Sequence, residues 1–299
     1  MKKVVWAKIP RVGLANKILV WANAYVFAKE NNVPLVVTNW LTIFIGPILR
    51  GENSLRFYFG YFNNDSIFKR LNIRIKSKFL KIDKNVKGDT FPKGTDLVVF
   101  DTYMDWLEFF DRIRLHRERI KSVFFKDLLK KKYKVNYDNY ESLNIGVHIR
   151  MGDFGMPNTT FDDDFNPEKN SSKRTPIRYF VDVINSLRAH AGKPVEVHVF
   201  SDGNEDDLRE VLELERVQLV KGNKDIEDLL MLSKCRVIVT SATSTFSLLA
   251  AYFSEAVILH HPNFYIRPIR NTEDNNLFYE GPFKENTELK RAIQELSFN

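Results

Sequence analysis

From residue 144 to residue 259 the chain alternates short apolar runs with helix-length amphipathic ones, and that alternation confines this half to one kind of architecture. The strand-like runs cover 144–149, 195–200, 217–220, 236–240 and 256–259, and helix-like runs at 177–190, 205–214, 225–234 and 245–253 separate them. Strands joined by crossover helices lie parallel, so the expected fold class is α/β with a parallel sheet. Ile145, Val147 and Ile149 give the first run its apolar pattern, and Gly152 marks the turn that ends it. Thr175 followed by Pro176 suits an N-cap and a first helical position.

The first half is less regular. It begins with a strand from Val4 to Ile9, a turn from Gly13 to Asn16, a helix from Lys17 to Asn31 and a strand from Leu35 to Thr38, and a further strand is expected from Asp96 to Phe100. With 299 residues there is room for two ordinary domains. The boundary is placed near residue 140, giving an N-terminal α/β domain over 1–140 and a C-terminal α/β domain over 141–299. Residues 152–174 lack apolar periodicity and read as a long loop.

Several chemistries are excluded by their missing motifs. There is no G-x-x-x-x-G-K-[ST], no G-x-G-x-x-G, no G-x-S-x-G and no H-E-x-x-H, and a single cysteine, Cys235, makes neither a disulfide nor a thiolate zinc site. Cys235 reads as a small core residue. Asp162, Asp163 and Asp164 contain a D-x-D pattern of the kind that holds a metal beside a nucleotide diphosphate, but amid Asn, Pro and Lys they read as a solvated acidic loop, and no metal is expected. The formal charge of +7 suits an anionic partner. The basic stretches from Lys69 to Lys87 and from Lys126 to Lys134 carry no nucleic-acid signature, so they read as solvated faces or as a patch resting on an anionic membrane. The N-terminus shows no apolar segment of signal-peptide or membrane-span length, and the expected location is cytoplasmic, including the cytoplasmic face of a membrane.

The polar residues that remain gather where strands end. His148, Arg150 and Asp153 follow the run 145–149, at the strand tail where open α/β sheets hold ligands. Arginine grips two phosphate oxygens with a planar fork and keeps its proton at neutral pH. Against that stands a structural ion pair with Asp153, and His148 by itself reads as a core histidine. Ser244, Thr245 and Ser247 open a helix after an apolar strand, where hydroxyls and unpaired N–H groups make an anion site or an ordinary N-cap.

Five stretches in order resemble one superfamily. His148-Ile149-Arg150-Met151-Gly152-Asp153 resembles the H-x-R-R-x-D motif of GDP-fucose-dependent fucosyltransferases. Phe200-Ser201-Asp202, the helix Asp228 to Cys235 and the segment Ala242 to Ala251 resemble the alpha-1,2 group of that superfamily. Gly13-Leu14-Ala15-Asn16-Lys17 is similar to its G-L-G-N-Q turn. No such motif stands in residues 40–140.

The resemblance implies a GT-B-like fold of two facing Rossmann-like domains with parallel sheets. It also implies inverting, metal-independent transfer of fucose from GDP-fucose, the co-substrate, to a hydroxyl of a glycan or lipid-linked oligosaccharide. Arg150 would stabilise the departing diphosphate. Gly13, Asn16, His148, Asp153, Ser201, Asp202, Asp228, Ser244, Thr245, Phe246 and Ser247 would line the donor site, with Asp153 orienting its neighbours. Three departures stand out: Ala15 and Lys17 alter the first turn, Met151 replaces the second arginine, and Leu248 and Leu249 replace paired tryptophans. Met151 keeps another GDP- or UDP-sugar open as donor, and the altered turn keeps open a non-catalytic glycan- or nucleotide-binding relative. Asp101, Asp105, Glu108 and the acidic loop are the candidates for the catalytic base.

Overall fold

The computed structural model describes residues 3–40, 58, 60–63, 65–102, 108, 110–134, 145–152, 174–191, 195–265, 267–271 and 279–297. The chain divides into two compact units, Met1–Gly51 with Leu55–Val135, and Asn136–Asn299 with Glu52–Ser54. Among the described residues no helix is long and apolar enough to cross a membrane.

The first unit is built on a four-stranded parallel sheet. Strands β1 (Val4–Lys8), β2 (Leu35–Thr38), β3 (Ile82–Lys84) and β4 (Leu97–Phe100) lie in the order β2-β1-β4-β3. Helix α1 (Leu14–Glu30) joins β1 to β2, and buries Ile18, Leu19 and Phe27 among other apolar residues. Gly13 is its N-cap, and Lys17 N–H donates to Gly13 O at 3.1 Å. The helix therefore starts three residues earlier than the sequence suggests, and the turn expected over Gly13 to Asn16 becomes its first turn. Helix α2 (Ile67–Lys76) follows β2 and buries Ile73 against Trp6, Leu97 and Val99. The short helix α3 (Arg117–Val123) runs into a wider π-type turn over Phe124–Leu128.

The second unit carries a six-stranded parallel sheet. Strands β5 (Ile145–Ile149), β6 (Val197–Ser201), β7 (Val217–Leu219), β8 (Val237–Val239), β9 (Val257–His260) and β10 (Glu280–Pro282) lie in the order β10-β9-β8-β5-β6-β7. The chain thus runs outward from β5 to β7, returns to place β8 on the other flank of β5, and continues outward again. Reversal of direction between β5 and β8 opens a crevice at their C-terminal ends, the usual ligand position in such a sheet. The connecting helices are α4 (Ile177–Ala191), α5 (Arg209–Leu212), α6 (Asp225–Leu232) and α7 (Thr245–Phe253), with α8 (Thr287–Ser297) last.

Two details show how the sequence enforces this packing. Gly146, in the middle of β5, leaves no room for a side chain: a Cβ there would collide with Cys235 Sγ and stand 2.7 Å from Leu232 Cδ1. Cys235 is buried, and burial pushes its thiol up, as suits a packing residue. Thr175 stands two residues before α4. Its hydroxyl accepts from Ala242 N–H at 2.9 Å, which fastens the start of α4 to the loop after β8.

Candidate functional site

The loops after β5, β6 and β8 converge at the crevice. Register places Ile149 opposite Ser201, so the residues that follow each strand, Arg150 and Asp202, emerge side by side. Arg150 NH1 donates to Asp202 Oδ2. The other carboxylate oxygen, Oδ1, accepts from Met151 N–H at 2.8 Å and Gly152 N–H at 3.2 Å. One carboxylate thus occupies a cradle of two backbone N–H groups and a guanidinium, a donor set that equally suits phosphate oxygens. Arg150 pairs with Asp202; Asp153, the ion-pair partner weighed against the phosphate role, lies outside the described residues, as do Asp105 and Asp162 to Asp164.

Arg150 is also held from the opposite flank. Its N–H donates to Ser241 Oγ at 2.9 Å, bridging β5 and the loop after β8 across the crevice. Ser201 stands beneath: its hydroxyl donates to Ile149 O at 2.7 Å and accepts from Gly203 N–H at 3.0 Å, so it shapes the β6 loop. A further cation arrives from the start of α4. Arg174 Nε donates to Met151 O at 3.2 Å, and its NH1 lies 3.7 Å from Asp207. The sequence reading passed over Arg174; the signal available was a basic residue directly before Thr175-Pro176. Met151 points the other way, buried in the core with Tyr179 and Phe180.

The third side is the N-terminus of α7. Ser244 is its N-cap, buried, and its hydroxyl makes no capping bond. Ser247 Oγ donates to Ser244 O at 3.1 Å, and Thr245 and Phe246 complete the first turn. The N–H groups of a first helical turn lack intrahelical acceptors and attract anions. Before the helix, Thr243 holds φ at +58° with a buried hydroxyl that has no hydrogen-bond partner among the described residues. A β-branched residue in the left-handed region is strained, and the strain sits beside the crevice.

His148 is buried within β5 and stacks on Phe246, with ring centroids 5.1 Å apart and planes 26° from parallel. Burial and, to a smaller degree, the Arg150 charge pull its pKa down to about 4 against an upward pull from Asp202, so the ring is neutral at pH 7. A native pKa below the unfolded value means that the unfolded chain binds the extra proton first. Stability therefore falls as pH drops from about 6.5 to 4, by roughly 3 kcal/mol from this group. His148→Phe should flatten the urea-denaturation profile between pH 7 and pH 4.5 relative to wild type. That comparison cancels His261, also lowered to about 4 by burial, and Asp228, which shifts the other way.

The remaining expected residues lie on other elements. Asp228, in the first turn of α6, accepts from Asn223 Nδ2 at 3.1 Å, and burial raises its pKa to about 6. Gly13 and Asn16 belong to the first unit, where Asn16 Oδ1 is buried without a hydrogen-bond partner among the described residues. Lys17 is fully buried. Its Nζ donates to Trp40 O at 3.3 Å and lies 5.4 Å from the Tyr58 ring, and burial lowers its pKa to about 8. Of the candidate bases, Asp101 is engaged by Lys84 at 3.0 Å and Asn85 at 3.1 Å, and Glu108 by Lys87 at 3.0 Å.

Comparison with known proteins adds two findings. Residues 107–279, more than half of the chain, match the model of glycosyl transferase family 11. In fold, the chain is similar to the alpha-1,6-fucosyltransferase NodZ. The form co-crystallized with GDP aligns with a TM-score of 0.53 at 16% identity, covering 88% of this chain and 96% of that one. The form soaked with GDP-fucose gives 0.52 at 15% identity, covering 87% and 95%. The fucosyltransferase NodZ from Bradyrhizobium gives 0.52 at 14%, covering 85% and 94%. At these identities the likeness is one of fold. No curated protein matches at the level of sequence.

Proposed function

This chain belongs to glycosyl transferase family 11, and from that premise we propose that it moves fucose from GDP-fucose to a hydroxyl of a glycan acceptor. The observation that carries the donor reading is the cradle at the β5–β8 crevice, where Arg150 and the N–H groups of Met151 and Gly152 converge on one anion. A nucleoside diphosphate presents phosphate oxygens to the same donors, with the first turn of α7 alongside. The structural neighbours that carry GDP or GDP-fucose support the choice of guanosine nucleotide.

We further propose that the transfer inverts the anomeric carbon, makes an alpha-1,2 linkage and needs no metal. As the bond between fucose and diphosphate lengthens, negative charge grows on the leaving group. A guanidinium that cannot lose its proton stabilises that charge in place and needs no reorganisation at the moment of reaction. The glycosyl centre takes on oxocarbenium character, which lowers the demand on the base that receives the acceptor's proton. Acceptors of the lipid-linked or cell-surface polysaccharide type, met on the cytoplasmic side, complete the reading.

The test is turnover of GDP-fucose, GDP-mannose and UDP-galactose in the presence of EDTA, with and without glycan acceptors ending in galactose. Release of GDP from GDP-fucose alone, faster with acceptor, is the expected result. Turnover that stops in EDTA would overturn metal independence, and preference for a UDP-sugar would overturn the donor. Binding of GDP-fucose with no turnover under any condition would favour a non-catalytic relative.

A further inference from the structure

Helix α2 presents an apolar face to solvent: among the described residues, five of the seven exposed large apolar side chains lie on it or just past it. Phe68 is 86% exposed, Ile67 62%, Ile75 61% and Leu71 50%, and just past the helix Phe79 is 82% exposed. At about 100° of rotation per residue, Ile67, Phe68, Leu71 and Ile75 fall within one arc of roughly 100°. Ile73, the buried residue of the helix, is on the opposite side, packed on Trp6, Leu97 and Val99. The outward stripe is therefore no by-product of core packing.

Charge frames this stripe. From Ile67 to Ile82 there are six cations, Lys69, Arg70, Arg74, Lys76, Lys78 and Lys81, and no acidic residue. On the helix, Arg70 and Arg74 border the stripe on one side, and Lys69 and Lys76 lie toward the other. The helix is formed in advance: Ser66 Oγ accepts from Lys69 N–H at 3.3 Å, and Ser77 Oγ donates to Arg74 O at 2.8 Å at the far end. Arg74 NH2 donates to Asn39 Oδ1 at 2.7 Å, which ties the helix to the end of β2.

We propose that α2 and the turn through Phe79 dock this protein on a bilayer that contains anionic lipid. Aromatic and aliphatic side chains on one face with lysine and arginine beside them are the features by which an amphipathic helix lies in a membrane interface. The apolar side chains enter the boundary between headgroups and acyl chains, while the long basic side chains reach the headgroup charge. The same composition disfavours the other occupants. Protein interfaces are depleted in lysine, and a second copy of the chain would set six cations against six. A free phosphate or a nucleic-acid backbone would leave the apolar stripe uncovered.

The test is co-sedimentation of the full chain with vesicles of phosphatidylcholine alone and of phosphatidylcholine mixed with phosphatidylglycerol. Binding to the mixed vesicles only, weakened by salt, is the expected result. Lys76→Gln with Lys78→Gln should weaken it roughly 25-fold, at about fivefold per cation. Phe68→Ser with Phe79→Ser should weaken it at least about tenfold while leaving the melting temperature and GDP binding unchanged. The retained melting temperature and GDP binding separate this result from any failure of the donor reading. Absence of binding to mixed vesicles, or equal binding by wild type and both double variants, would overturn the proposal. So would salt-resistant dimerisation lost in the phenylalanine variant, or RNA binding at salt concentrations that abolish vesicle binding.

Discussion

Arg150→Ala should lose roughly 10²–10³-fold in kcat with GDP-fucose, with little change in melting temperature. The guanidinium and its partner Asp202 are partly exposed, so their ion pair contributes little to stability. The role proposed for it in the reaction predicts a larger effect, because a fixed donor aimed at a leaving group acts where charge develops. Arg150→Lys separates charge from geometry. An ammonium keeps the positive charge and loses the planar fork, so an intermediate loss of about tenfold is expected. Steady-state kinetics on the three proteins, with urea melts as control, decide the matter. Equal loss in Lys and Ala variants would mean that the fork, rather than the charge, is what the diphosphate requires. Unchanged kcat in Arg150→Ala would remove Arg150 from the reaction.

The largest expected loss of stability lies away from the crevice, at β10. Arg270 is buried and the Glu280 side chain is only 7% exposed, with Nε 2.9 Å from Oε2. Arg270 NH1 also donates to Ala256 O at 3.0 Å, and Glu280 Oε1 accepts from Ile269 N–H at 2.6 Å. His260 Nε2 stands 3.5 Å from the same oxygen. Burial pushes the Glu280 carboxyl up, but the nearby His260 ring, the Arg270 charge and the Ile269 N–H together hold it below the usual carboxylate range. Arg270→Met removes the guanidinium paired with this carboxylate and leaves the carboxylate buried without it. The expected cost is about 3–5 kcal/mol, and Arg270→Met with Glu280→Leu should recover much of it.

The sign of the pH dependence follows from the depressed value. Glu280 contributes its stability above the unfolded carboxylate pKa and loses it as pH falls through the lower native one. In Arg270→Met that loss should begin at higher pH, visible in urea melts between pH 7 and pH 4. A functional effect is expected as well. His260 Nδ1 lies 3.1 Å from Thr240 Oγ1, and the next residue, Ser241, holds the backbone of Arg150.

The elements of the second unit were legible where burial on both faces makes a strand almost wholly apolar. Val237–Val239 and Val257–His260 are of that kind, and the helix Thr245–Phe253 coincides with the sequence reading. β10 was not legible, because Glu280-Gly281-Pro282 has no strand character of its own and exists through pairing with β9. The same holds for β3, whose Ile82-Asp83-Lys84 is polar and largely exposed and is held by β4. Helix 205–214 shrank to Arg209–Leu212, since Asn204 Oδ1 takes Asp207 N–H into a turn first. Helix α2 was hidden by its own charge, which reads as a solvated face until the packing of Ile73 shows which side is inward.

For the site, local sequence supplies the residue types but not the partners. Arg150 and Asp202 are 52 positions apart and meet only through the register of β5 with β6. Arg174 and Thr175 reach the crevice only because α4 starts beside the loop after β8.

The central claim is that a guanosine diphosphate binds at the β5–β8 crevice, and amide hydrogen exchange tests it most directly. The wild-type chain would be compared with and without GDP, and with and without UDP, in EDTA. The expected result is slowed exchange with GDP, and not with UDP, in peptides covering Ile149–Gly152 and Ser241–Ser247. Unchanged exchange in both peptides, or protection confined to other parts of the chain, would contradict it.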